Sequence, residues 1–214
     1  MLTEILPASH AESLLRAAEL LHASQLVAFP TDTVYGVGAP VFNAAAVAAI
    51  YMAKQRPPEK AIPVLIADTA DLPRITAGVP NRARKLIARF WPGGLTLVLP
   101  KRPSVPEIVS ADMTVAVRIP DLDLARVLMR LTGPLAATSA NRSGQASPIT
   151  ASDVIHQLGG RIAAILDGGP CPGGTPSTVV DCVSSPPCVV REGAVSLADL
   201  RAIVPKVRRG GSRA

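Results

Sequence analysis

Leu26-Val27-Ala28-Phe29-Pro30-Thr31-Asp32-Thr33-Val34-Tyr35-Gly36-Val37-Gly38 decides the fold class. The apolar run Leu26–Phe29 reads as a buried strand. Pro30 breaks its ladder, two hydroxyls and a carboxylate follow, and Gly36 and Gly38 are expected to let the backbone bend tightly. A strand that ends in small polar residues and glycines is a common way for α/β proteins to build a ligand site. Twenty-one residues beyond Thr33, Lys54-Gln55-Arg56-Pro57 places two cations at the end of a helical stretch. Hydroxyls facing cations point to a polar, phosphorylated ligand.

Outward from this stretch, strands and helices interleave. Ser9-His10-Ala11-Glu12 has the form of a capping box before a first helix, and Asn43 is placed to cap an Ala-rich helix ending near Lys54. Further strands are expected at 62–66, 95–99, 115–119, 135–138, 163–166, 178–181 and 189–191. Helices are expected near 68–71, 81–90, 122–131, 152–158 and 196–203. Neither a repeat nor a long linker divides the chain. The prediction is one α/β domain over residues 1–205 with a twisted mixed sheet, followed by a basic, disordered tail at 206–214.

Composition narrows the function classes. Apolar residues make up 48% of the 214 positions but aromatics only 3%, so the core must be built from Ala, Val, Leu and Ile. The net charge of +6 is concentrated at the end, where Lys206, Arg208, Arg209 and Arg213 lie in a stretch without acids. The body is therefore near neutral and lacks stacking platforms, which argues against a non-catalytic RNA-binding module with a basic cleft. Three cysteines with no Cys-x-x-Cys pair argue against a zinc site and for reduced thiols in the cytoplasm. The start lacks the pattern of a signal peptide, and the stretch 39–53 is too short and Ala-rich to span a bilayer.

Phosphate-binding loops of the Gly-x-x-x-x-Gly-Lys and Gly-x-Gly-x-x-Gly types are absent, as is a Gly-x-Ser-x-Gly elbow. Instead, several strand ends carry similar chemistry: Thr31 and Thr33, Arg118, Ser139 and Asn141, Ser177 and Thr178, and Arg191. Any one of them alone reads as a cap or turn. Together, most beside Gly or Pro, they indicate one shared polar cleft.

Seven segments occur in order: Pro30-Thr-Asp-Thr-Val-Tyr-Gly-Val-Gly38, Lys54-Gln-Arg-Pro57, Trp91-Pro-Gly-Gly-Leu-Thr-Leu-Val98, Val115-Ala-Val-Arg-Ile-Pro120, Ala137-Thr-Ser-Ala-Asn-Arg-Ser-Gly144, Pro176-Ser-Thr-Val-Val-Asp181 and Val190-Arg-Glu-Gly193. This set resembles the YrdC/TsaC-like family of threonylcarbamoyl-AMP synthases, in its short, single-domain bacterial form, over residues 10–205.

The resemblance implies a deep, positively charged cavity and the conversion of L-threonine, bicarbonate and ATP, with Mg2+, to L-threonylcarbamoyladenylate and pyrophosphate. The product would feed a tRNA threonylcarbamoyl transferase complex, and direct tRNA binding is left open. It further implies L-threonine contacts at Thr33, Arg118, Ala137 and Ser177. ATP contacts are implied at Lys54, Arg56, Lys60, Thr114, Ser139, Asn141, Ser147 and Arg191, with Lys54 and Arg56 as the catalytic cations. No metal ligand is assigned, and Asp32 is left between general base and turn residue. The alternative enzyme reading is a carbamoyl-adenylate step on another acceptor. The chain departs from the family pattern at Lys60-Ala61-Ile62, where many relatives have Asn-Pro-Leu, and at Leu65, where some place a histidine.

Overall fold

The computed structural model describes residues 2–210. Local chemistry fixes most helix ends. Asn43 caps α2 (Ala44–Lys54), its Oδ1 accepting the Ala46 amide at 3.1 Å. Helix α1 (Ala11–His22) departs from expectation: its N-cap is His10 and makes no side-chain capping bond. Ser9 and Glu12 are thus one position out of register with the helix start, and no box closes between them. The reciprocal box forms instead at α6 (Ala151–Leu158), between Thr150 and Asp153. The remaining helices are α3 (Leu72–Ile75), after a short 3-10 turn, α4 (Asn81–Phe90), α5 (Asp123–Thr132) and α7 (Leu197–Ile203). None is long and apolar enough to cross a membrane.

The strands are β1 (Glu4–Pro7), β2 (Val27–Phe29), β3 (Gly36–Pro40), β4 (Val64–Leu65), β5 (Leu95–Pro100), β6 (Thr114–Arg118), β7 (Leu135–Ser139), β8 (Ala164–Asp167), β9 (Thr178–Asp181), β10 (Cys188–Arg191) and β11 (Arg208–Arg209). They form one mixed sheet in the order β1-β8-β2-β3-β7-β4-β6-β5-β9-β10-β11. The expected α/β domain with a mixed sheet is the observed one.

Two readings need correction. Gly36 and Gly38 do not bend the chain: they begin β3, which pairs antiparallel with both β2 and β7. A Cβ at Gly38 would stand 3.0 Å from Phe29 Cε1, so glycine here serves close packing across the β2–β3 pair. The second correction concerns the tail. Residues 206–210 are ordered rather than disordered. Val207 is buried and β11 runs parallel to β10, with Cys188 opposite Arg208. A single valine between charged residues is enough to anchor the segment against the core. The rest of the expected tail, 211–214, lies outside the described residues.

Side chains alternate across the sheet as strand geometry requires. Ala28, Val64, Ala136 and Ile165 face a core shared with α2, α4 and α6. Val27, Phe29, Leu65, Ala137 and Leu166 face a second core shared with α1 and α5. The second helical layer stops at β4. Beyond it, on β6, β5 and β9, the same face carries Thr114, Ala116, Val98 and Val179, all partly exposed. Half of one sheet face is therefore left uncovered, and the site lies where the cover ends.

Candidate functional site

The cleft sits at the ends of β2, β6, β7, β9 and β10 and encloses a cavity of about 100 Å³. Its wall brings together seven predicted residues: Thr33, Arg118, Ala137, Ser139, Ser177 and Arg191, from five separate segments, and Ser147. Pro63 and Leu65 complete the apolar side. The lining carries two guanidinium groups, Arg118 and Arg191, and no carboxylate.

Thr33 is fixed by its own turn. Thr31 Oγ1 accepts the Thr33 and Val34 amides, each at 3.2 Å, and donates to the Val34 carbonyl at 2.7 Å. It also lies 2.9 Å from Thr33 Oγ1. The loop 168–176 closes over this turn. Gly174 N donates to Thr33 O at 2.8 Å, Tyr35 Oη donates to Gly169 O at 2.7 Å, and a Cβ at Gly173 would fall 2.5 Å from Asp32 O.

Arg118, 5% exposed, organises the cleft floor. Its Nη1 donates to Thr33 Oγ1 at 2.9 Å, Nη2 to Asp32 Oδ1 at 2.5 Å and Nε to Gly93 O at 2.9 Å. Each Nη nitrogen keeps one hydrogen with no partner among the described residues. Burial pulls the guanidinium below its ordinary pKa, and Asp32 opposes that pull. Asp32, left open between two roles, is thus the counter-ion that aims Arg118.

The opposite wall is a relay from β5 to β10. Thr96 Oγ1 and Ser177 Oγ are 2.8 Å apart, and Arg191 Nη2 donates to Ser177 O at 2.7 Å and to Ser177 Oγ at 3.1 Å. Arg191 is pulled down in pKa by burial and then by Arg56, which places the two cations within electrostatic reach of one another. Arg56 forms the rim. Its Nε donates to Lys60 O at 3.0 Å and its Nη2 to Ala61 O at 2.8 Å, so it holds the proline-rich loop while remaining partly exposed.

Lys54 and Asn141 are not where the sequence placed them. Lys54 is 1% exposed and turns inward, its Nζ donating to Ser139 O and Asn141 O, both at 2.5 Å, with Asn141 Oδ1 at 3.4 Å. Burial, then the Arg56 charge, push its pKa down to about 7. It does not line the cavity. Asn141 is also spent internally. Its Oδ1 accepts Ser139 Oγ at 2.5 Å, and its Nδ2 donates to Arg142 O and Gln145 O, both at 2.8 Å. A Lys-Asn lock inside the 139–145 loop therefore sets the position of Ser139. Lys60 is exposed beyond the cavity. Thr114 shares the uncovered face of β6 with Arg118, four residues and roughly 13 Å along the strand.

The site list drawn from sequence omitted Thr31 and Thr96. Both were visible in principle: Thr31 as the first member of a Thr-x-Thr turn, and Thr96 as the one hydroxyl inside an apolar strand. Among the described residues no cluster of three or more His, Cys, Asp or Glu side chains could hold a metal ion.

Comparison with known proteins identifies the family. Residues 19–193 match the Sua5/YciO/YrdC family model, described as "Telomere recombination". The chain is 46% identical over 192 residues to a threonylcarbamoyl-AMP synthase of Bacillus subtilis, an overlap of 88% of this chain and 56% of that protein. It is 41% identical over 194 residues to a threonylcarbamoyl-AMP synthase of Pyrococcus abyssi, covering 90% of this chain and 57% of the relative. The crystal structure of P. abyssi Sua5 complexed with L-threonine superposes with a TM-score of 0.94 at 37% identity, over 98% of this chain and 63% of that one. E. coli YciO shares the fold, with a TM-score of 0.82 at 23% identity over 92% of this chain and 99% of that one. The chain thus spans a little over half the length of the B. subtilis and P. abyssi relatives. With a family model matching residues 19–193 and relatives of this identity, the chain belongs to the Sua5/YciO/YrdC family.

Proposed function

We propose that this chain is a threonylcarbamoyl-AMP synthase, a nucleotidyltransferase that joins L-threonine, bicarbonate and ATP into L-threonylcarbamoyladenylate with release of pyrophosphate. The observation that carries the reading is the pairing of Thr33 and Arg118 on one wall with Ser177 and Arg191 on the other. The two uncommitted Nη hydrogens of Arg118 suit an amino-acid carboxylate. The neighbouring Ala137 and Leu65 offer an apolar surface to a methyl group. P. abyssi Sua5, on the same fold, is known in complex with L-threonine, which supports threonine as the amino acid.

The nucleotide would extend from Arg191 and the rim cation Arg56 along the uncovered sheet face toward Thr114. Ser139, Ser147 and Lys60 would add polar contacts. The threonine amine adds to bicarbonate with loss of water to give an N-carboxylate. One of its oxygens attacks the α-phosphorus as the bond to the pyrophosphate oxygen breaks. The protein's part is to hold the reactants in line and to present positive charge where the pyrophosphate departs. No residue of the cleft offers itself as a covalent nucleophile. Magnesium would enter with the nucleotide on its phosphates, and no step here depends on it.

The product would serve a tRNA-modifying transferase in the cytoplasm. Pyrophosphate release measured with ATP, magnesium, bicarbonate and each amino acid in turn tests the reading. Release that depends on threonine is expected. Release driven equally by other amino acids would move the assignment to another acceptor, and no release would remove it.

A further inference from the structure

The hydroxyls on opposite walls of the cleft, Thr33 and Ser177, differ in whether they have a hydrogen to give. Thr31 Oγ1 spends its hydrogen on Val34 O, so the hydrogen between Thr31 and Thr33 comes from Thr33. Thr33 Oγ1 also accepts Arg118 Nη1. Toward the cavity it keeps one lone pair and no hydrogen, so it can only accept.

Ser177 has the reverse polarity. Strand β5 runs parallel to β9 with Thr96 opposite Val179, and Ser177, two residues before Val179, lies on the same face. This register sets Thr96 Oγ1 2.8 Å from Ser177 Oγ, its one partner among the described residues. A buried hydroxyl hydrogen with no acceptor is costly. Thr96 is 2% exposed and Ser177 6%, so the deeper hydroxyl donates to the shallower one. Ser177 Oγ then accepts from both Thr96 and Arg191 Nη2, its lone pairs are filled, and its own hydrogen turns to the cavity. Arg191 commits Nε and Nη2 to Ser177, leaving both Nη1 hydrogens without a partner among the described residues. This corner therefore offers three hydrogens beside a positive charge, with no carboxylate in the lining. The charge of Arg191 reaches Arg118 across the cleft, so an anion held between the two guanidinium groups relieves their repulsion.

We propose that the Ser177–Arg191 corner binds bicarbonate and the N-carboxylate formed from it, and that Thr96 is the positioning residue that turns the Ser177 hydroxyl toward them. The inference rests on the reaction proposed above. With the amino-acid carboxylate on Arg118, the acceptor Thr33 suits an amine N–H beside it, and the donor corner suits the oxygens on the carbon that the amine attacks. In that step the neutral amine forms the N–C bond, the bond from carbon to the bicarbonate hydroxyl breaks, and that oxygen leaves as water with a proton from the amine. Ser177 holds one of the two remaining oxygens and leaves the other for the α-phosphorus.

Pyrophosphate release measured against bicarbonate in CO2-depleted buffer, and separately against threonine, tests the proposal. Thr96→Val keeps the branched shape of the side chain and removes the hydroxyl. It should raise the KM for bicarbonate about tenfold and that for threonine less than about twofold, in a protein that still unfolds cooperatively in urea. Thr96→Ser should bring the KM for bicarbonate back to within about threefold of wild type. Because Thr96 acts through Ser177, Thr96→Val should add nothing to the defect of Ser177→Ala. A bicarbonate KM unchanged by Thr96→Val, a defect that falls on threonine instead, or a double variant whose losses multiply would overturn the proposal. A wild-type chain that releases no pyrophosphate with threonine would remove the reaction itself, and the proposal with it.

Discussion

Replacing Lys54 with methionine tests whether this cation is a lock inside the protein or a contact for phosphate. The native Nζ is enclosed and bonded to two main-chain carbonyls, and its pKa falls from 10.5 to about 7. That fall corresponds to roughly 5 kcal/mol of preference for the neutral amine in the folded state. Between pH 7 and about 10.4 the unfolded chain holds the proton and the folded chain has released it, so wild-type stability should rise with pH across this window. Methionine has nothing to titrate, and that rise should disappear. It also leaves two buried carbonyls without a donor, at about 1–3 kcal/mol each, against relief from burying a charge. The two effects are of similar size, so the variant should fold with stability close to wild type at pH 7.

Urea denaturation at several pH values, run for both proteins, gives the comparison. A difference in stability that grows with pH supports the lock, and parallel curves would refute it. Binding of a non-hydrolysable ATP analogue supplies a second readout. Loss of an ordinary phosphate contact costs about 2–3 kcal/mol, or roughly 30- to 150-fold in affinity. The lock predicts a change of only a few fold, with the loss falling mainly on turnover through a misplaced Ser139.

Four further outcomes follow from named contacts. Thr33→Ala removes the hydroxyl that Arg118 Nη1 contacts at 2.9 Å. It should raise the KM for threonine about tenfold and leave ATP affinity unchanged, and equal loss of both would argue against its place beside the amino acid. Arg56→Ala should cut pyrophosphate release about 30-fold or more in a protein that still unfolds cooperatively in urea; full activity would remove Arg56 from the nucleotide site. Gly38→Ala drives a methyl group to 3.0 Å from the fully buried Phe29 ring and should cost about 1–3 kcal/mol in denaturation, whereas an unchanged midpoint would show that the β2–β3 pair can yield. Truncation after Pro205 removes Val207 from the core and should lower stability by about 1.5–3 kcal/mol; no change would restore the view of this segment as a loose tail.

Much of the fold was legible because local signals and burial agreed. The helix from Asn43 to Lys54 begins at its cap, and the strand 178–181 appears with the boundaries its valines predict. Strand β3 was not legible. Its two glycines carry no β propensity, and the reason for them lies in a partner strand, where Phe29 occupies the space a side chain would need. Strand β11 was hidden by charge, since only Val207 in that segment is apolar enough to hold it.

The cleft residues were found because strand ends from distant segments shared one chemistry, as Thr33, Arg118 and Ser177 do. The inward turn of Lys54 left no such trace. A lysine beside an arginine at a helix end looks the same whether it meets solvent, phosphate or the carbonyls of a loop 85 residues away. The roles of Asp32, Thr31 and Thr96 likewise depend on partners that only the folded chain brings close.

The most direct measurement is the fate of labelled bicarbonate. The chain is incubated with ATP, magnesium and 14C-bicarbonate, with and without L-threonine, and the nucleotides are separated. The account predicts that label enters an adenylate only when threonine is present, in step with pyrophosphate release. Pyrophosphate released without label in any nucleotide, or label incorporated without threonine, would contradict it.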